Sequence, residues 1–146
     1  MKKKDNCFNS SIEEKFMELK ISSLTFQSGG VYMTKDYNVL FPGRKKIEDK
    51  HRMVVVIGNK TDLNDPMLPI VTCAPITTVM DETTQCLPIR AGDGNLDKDS
   101  LIKAGMVQPI LKTQISHQIG TLEPETVEQL KATIFINFGL DEDSSK

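Results

Sequence analysis

Beyond Ser28-Gly29-Gly30 the apolar residues of this chain fall into short runs separated by turn residues, which confines its middle to a sheet of brief strands. The spacing predicts strands at Val31–Thr34, Met53–Gly58, Ile70–Thr77, Cys86–Ile89 and Gly105–Leu111. Phe41–Lys50, with Pro42, Gly43 and several basic residues, and Asn59–Leu68 read as long loops. Helical patterns lie only at the ends. In residues 10–24, Ser10 and Ser11 each precede a glutamate by three positions, the capping-box spacing, and Ile12, Phe16 and Leu19 share one face. Near the other end Pro124 stands where a first helical residue belongs. Val127, Leu130, Ile134 and Phe138 then form an apolar stripe, and Gly139 supplies a stop. The expected architecture is a small, mainly β domain with a C-terminal helix and an extra N-terminal helix. Its boundaries are an N-terminal helical extension over 1–28, the β domain over 29–140 and an acidic tail over 141–146.

A chain of 146 residues has room for one such domain and buries roughly 68–70% of the surface its unfolded form exposes. The longest strictly aliphatic or methionine run, Met53–Ile57, is far short of the ~20 residues that cross a bilayer, so no membrane partner is expected. The N-terminus, Met1-Lys-Lys-Lys4, lacks the apolar stretch of a signal peptide, and a cytoplasmic protein with reduced thiols is expected. Cys7, Cys73 and Cys86 show no C-x-x-C spacing, and His51 and His117 stand far apart, so neither a zinc site nor any other metal or cofactor is expected. The formal net charge of −2 argues mildly against nucleic acid but is an average over unlike halves. Residues 1–52 carry 11 Lys/Arg and 7 Asp/Glu; residues 53–146 carry 7 and 13. The basic end suits a polyanion.

Two motifs fail on inspection. Asn59-Lys60-Thr61-Asp62 after a valine strand has the N-K-x-D pattern that reads guanine, but no phosphate-cradling G-x-x-x-x-G-K-[ST] precedes it. Asp93-Gly-Asn95-Leu-Asp97 begins like a calcium loop, yet the sixth position is Lys98 and the twelfth Ala104, where Gly and Glu are needed. It reads as an acidic surface loop.

One constellation survives. Lys50-His51-Arg52 stands directly before the valine-rich strand, and Cys73-Ala74-Pro75-Ile76-Thr77-Thr78 closes the next one. A guanidinium at the mouth of one strand and hydroxyls at the end of its neighbour can meet at one edge of a small barrel. Arg44, Lys45, Lys46 and Lys50 lie just upstream. Forked arginine donors and a field of lysines suit the backbone of a nucleic acid.

With these residues in view, the sequence resembles the MazF/PemK family of toxin endoribonucleases from bacterial toxin–antitoxin pairs. Gly30-Val31-Tyr32 is similar to the family's first strand, and Arg52-Met53-Val54-Val55-Val56-Ile57 to its Arg-led valine strand. Ala74-Pro75-Ile76-Thr77 matches an A-P-I-T signature. Asp99-Ser100 before a strand, Gln108 within it, Ile119-Gly120-Thr121-Leu122 and Phe138-Gly139-Leu140 follow in the family's order. The likeness spans about residues 30–140. It implies an SH3-like barrel of the MazF/PemK/CcdB type, usually a homodimer. Such a protein cuts single-stranded mRNA at short sequences without a metal, and an antitoxin with an acidic, partly disordered segment occupies its RNA groove.

The resemblance carries two catalytic positions across, Arg52 and Thr77. A metal-free ribonuclease lets the substrate's 2′-hydroxyl attack the adjacent phosphate, leaving a 2′,3′-cyclic phosphate and a 5′-hydroxyl. Arg52 suits stabilisation of the extra charge on the pentacoordinate phosphate, and Thr77 can hydrogen-bond a phosphate oxygen or the attacking hydroxyl. His51, Thr78 and Gln108 are further catalytic or RNA-contacting candidates. The ordinary imidazole pKa of about 6.5 suits proton transfer, but neighbours on a strand face opposite ways, so His51 faces away if Arg52 faces the groove. His117 is a more distant candidate. The family's Arg-Pro is Arg52-Met53 here, its loop is replaced by Gly43–Lys50, and its D-Q-I-R-T-type stretch reads Val107-Gln108-Pro109-Ile110-Leu111, without the acid and the arginine. Pro109 removes a backbone donor and suggests an edge strand or a bulge. The competing reading is a non-catalytic barrel that binds a protein target, as CcdB-type toxins do, or RNA without cutting it. Residues 1–28 are expected to modulate partner binding or the groove rather than chemistry.

Overall fold

In the computed structural model, residues 24–41, 50–81 and 85–139 are described. The helix predicted over 10–24 lies outside them except for Leu24, which is irregular and packs against the core. The acidic tail and the loop residues Arg44, Lys45 and Lys46 also lie outside them.

Seven strands form an antiparallel sheet: β1 (Gly30–Lys35), β2 (His51–Ile57), β3 (Ile70–Thr77), β4 (Cys86–Ile89), β5 (Ser100–Lys103), β6 (Gln108–Leu111) and β7 (Ile115–Thr121). Two helices accompany them, the single turn α1 (Lys60–Leu63) and the long α2 (Pro124–Asn137). The sheet runs β4-β5-β3-β2-β1-β7, and β6 pairs with the first half of β3 on the edge whose second half takes β5. The predicted mainly β chain with a C-terminal helix is therefore the observed one.

The valine run at β2 is continuous rather than alternating because both faces of the strand are covered. Val54 and Val56 enter a core with Tyr32, Val71, Cys73, Ile110 and Ile115. Val55 points the other way, into a core with Ala74, Ile76, Ile102, Leu122 and Leu130, and it is this face that α2 closes. Leu130 is buried and Val127 and Ile134 are partly so, but Phe138 leaves the predicted stripe with 68% of its surface exposed. The helix ends at Asn137, and Phe138 is its C-cap, followed by Gly139 at a left-handed φ of 72°.

The predicted strand Gly105–Leu111 is two things. Ala104–Met106 is a 3-10 turn, and β6 begins only at Gln108. Pro109 is accommodated because β6 pairs with β3 alone. The loop predicted at Asn59–Leu68 opens with α1, where Asn59 accepts the Asp62 N–H at 2.9 Å as an N-cap. That contact accounts for the guanine-like N-K-x-D pattern. The acidic stretch at 93–99 is more than a surface loop. Asp93 caps α2, accepting the Glu123 N–H at 2.8 Å and the Thr126 hydroxyl. Gly94 beside it has φ +64°, and a Cβ there would come within 2.8 Å of Val31 and 2.9 Å of Leu122.

Candidate functional site

Alternation along β2 sets the site. Arg52 belongs to the face of Val54 and Val56, and His51 to the opposite one. The β2–β3 pairing matches Val54 with Pro75. Carried two residues further, the same register sets Arg52 opposite Thr77, with both on one face. Thr34 of β1 pairs with Arg52 from the other side.

The Arg52 guanidinium is held on three sides. Nε donates to Asp36 Oδ1 at 2.6 Å, Nη1 reaches the Ile76 carbonyl at 3.4 Å, and Cζ lies 4.1 Å from the centre of the Phe41 ring. Asp36 is 1% exposed, and the arginine side chain keeps 15% of its surface open. A buried carboxylate thus fixes the cation from behind, an aromatic face fixes its plane, and the Ile76 contact brings it beside Thr77. Among the described residues, Nη2 has no partner. Thr77 is 8% exposed, and its Oγ accepts the Val79 N–H at 3.2 Å. It therefore caps a turn while its own hydroxyl proton stays available.

The remaining candidates separate. Thr78 is exposed and lines, with Met33, Met53, Leu96, His117 and Ile119, a cleft of about 500 Å³ on the α2 side of the sheet, away from Arg52. His117 Nδ1 lies 3.2 Å from the Ser116 hydroxyl. His51 is exposed and pairs with Lys35, on the face away from Arg52, as alternation predicts. Lys50 is exposed, and its carbonyl accepts the Asp36 N–H at 2.7 Å. Gln108 turns inward to the chain: Oε1 accepts the Leu40 N–H at 2.8 Å, while Nε2 donates to the carbonyls of Leu40 at 3.0 Å and Met106 at 3.1 Å. Sequence reasoning missed Asp36 and Phe41. Neither belongs to a motif, and each meets Arg52 only through the fold.

A family model of the PemK-like, MazF-like toxin of type II toxin–antitoxin systems matches residues 37–138, a span that contains Arg52, Thr77 and Gln108. The chain belongs to this family. Solved MazF structures share its fold. The Mycobacterium tuberculosis toxin MazF-mt6 is 24% identical, with 75% of this chain and 96% of that one covered at a TM-score of 0.59. An endoribonuclease in complex with its cognate antitoxin from a mycobacterial species is 14% identical, covering 77% and 93% at 0.59. A MazE–MazF complex from Deinococcus radiodurans is 9% identical, covering 80% and 97% at 0.62. No curated protein matches the chain. As a MazF/PemK toxin, it keeps the Arg-led valine strand and the A-P-I-T strand as hydrogen-bonded neighbours, β2 beside β3. Among its described residues no helix is long and apolar enough to cross a membrane.

Proposed function

We propose that this toxin is a metal-independent endoribonuclease that cuts single-stranded mRNA within a short sequence. The observation that carries the reading is the Arg52 guanidinium, oriented by Asp36 and Phe41 and delivered to the end of β3 beside Thr77. In the reaction the substrate's 2′-oxygen forms a bond to phosphorus as its proton leaves, and the bond to the 5′-oxygen breaks as that oxygen gains a proton. The products are a 2′,3′-cyclic phosphate and a 5′-hydroxyl. Arg52 stabilises the charge that grows on the phosphoryl oxygens, and its fixed plane means little reorganisation is needed at that moment. Thr77 donates to a phosphoryl oxygen or orients the 2′-hydroxyl. The basic residues Arg44, Lys45, Lys46 and Lys50 draw in the RNA backbone.

The partner in the cell is a cognate antitoxin whose acidic segment competes for the same cations, and the working form is a homodimer in the cytoplasm. The antitoxin-bound relatives named above support that partner. One observation favours a second reading, a non-catalytic RNA- or protein-binding barrel: the Arg52–Asp36 pair is also what a purely structural ion pair looks like. Mixed-sequence RNA incubated with the protein in EDTA separates the two. The enzyme leaves fragments ending in 2′,3′-cyclic phosphate, and a binding module leaves the RNA intact. Thr77→Val is expected to slow cutting more than it weakens binding. An equal loss of both would confine Thr77 to holding the RNA.

A further inference from the structure

Gln108 lies on β6, opposite Cys73 of β3, and 68 residues from Leu40 in sequence. Its amide nevertheless grips the Leu40 main chain at both the N–H and the carbonyl, as a neighbouring strand would. Both Nε2 protons are used, one on Leu40 and one on Met106. The Leu40 side chain contributes little anchorage, being 78% exposed. The next residue is Phe41, whose ring covers the Arg52 guanidinium, and the basic stretch that holds Arg44, Lys45 and Lys46 follows at once.

We infer that Gln108 is a positioning residue: by clamping Leu40 it holds Phe41 against Arg52. Leu40, the residue Gln108 grips, is directly bonded to Phe41 on its N-terminal side. Releasing the clamp frees the ring to swing, and the guanidinium then keeps Asp36 but loses the surface that sets its plane. Gln108 itself does not reach the RNA, because its amide protons are committed to main-chain carbonyls. As regards catalysis, this inference rests on the proposed role of Arg52.

The test begins with the Arg52 Nε–Hε signal in ¹H–¹⁵N spectra of the full-length protein, assigned by its loss in Arg52→Lys. Removing the ring with Phe41→Leu shifts that signal by removing the ring current. Gln108→Met, nearly isosteric but without the amide, is expected to shift it in the same direction and to add nothing in the Phe41→Leu background. An Arg52 signal unmoved by Gln108→Met, in a protein that melts as the wild type does, overturns the inference. Gln108→Ala provides the same reading should the methionine variant fold poorly. In RNA cleavage, Gln108→Met should lower kcat by up to about 10²-fold with KM little changed, again without additivity to Phe41→Leu. A raised KM and an additive loss would instead place Gln108 on the RNA and overturn the inference. Wild-type protein that leaves RNA intact would sink the enzymatic reading alone, and the spectra would still decide the clamp.

Discussion

The face of the sheet that α2 covers and the face that carries Arg52 are built from the same strands to different ends. Under α2 the core is continuous and apolar, from Val31 and Val55 through Ala74 and Ile76 to Leu130. On the other face the apolar cluster gives way, where β2 begins and β3 ends, to Thr34, Asp36, Arg52 and Thr77. Three of the four buried polar side chains of the described protein, Thr34, Asp36 and Thr77, gather there. Burying polar groups costs stability unless each finds a partner, so their concentration at one end marks a place shaped for something other than packing. Each does find one here. Thr34 donates to the Gln114 carbonyl at 2.7 Å, Asp36 takes Arg52, and Thr77 takes Val79.

That contrast can be broken from either side. Leu130→Ala removes packing under α2 and is expected to destabilise the fold by about 3–5 kcal/mol, measured by urea unfolding. RNA cutting per folded molecule should be preserved. A large loss of cutting by the folded fraction would mean that the two faces are not separate in function. Asp36→Asn keeps the shape but removes the ion pair, at about 1.5–3 kcal/mol for a hydrogen bond to a charged group. Here activity should fall further than stability does, because the arginine loses its rear support. Near-wild-type cutting would show that Phe41 alone orients the cation.

A further effect, confined to alkaline pH, concerns Cys73, in the apolar part of the Arg52 face. Burial pushes its thiol from 9.0 up to about 12. The neutral thiol is the form the fold favours, so this contribution is complete below 9.0 and is lost as pH rises towards 12. Cys73→Ala should flatten the alkaline fall in stability over that window without removing it, because burial also raises the Tyr32 hydroxyl. An unchanged slope would contradict the burial argument.

Much of this was legible in the amino acids. Strands β3 and β4 fall where periodicity puts them, and Pro124 and Gly139 bracket α2. Strands β5 and β7 do not emerge from the pattern. In β7, Ser116, His117 and Thr121 face solvent on an edge strand, so little hydrophobic period survives. Arg52 and Thr77 could be singled out because each sits at a strand end with a recognisable neighbour sequence. Asp36, Phe41 and the Gln108 clamp could not, because their partners lie 16, 11 and 68 residues away and are joined only by the sheet register. The acid at position 93 misled for a related reason: its role as the cap of α2 depends on a contact across 30 residues.

The central claim is that the braced Arg52 drives metal-free RNA cleavage. The direct measurement is the single-turnover rate in EDTA, with cyclic-phosphate ends counted, for wild type and Arg52→Ala matched for folded fraction. The expected result is cleavage by the wild type that falls by ~10²–10³ in the variant, the usual cost of losing one donor to a developing oxyanion. Equal rates in the two proteins, or no cyclic-phosphate ends from either, would contradict it.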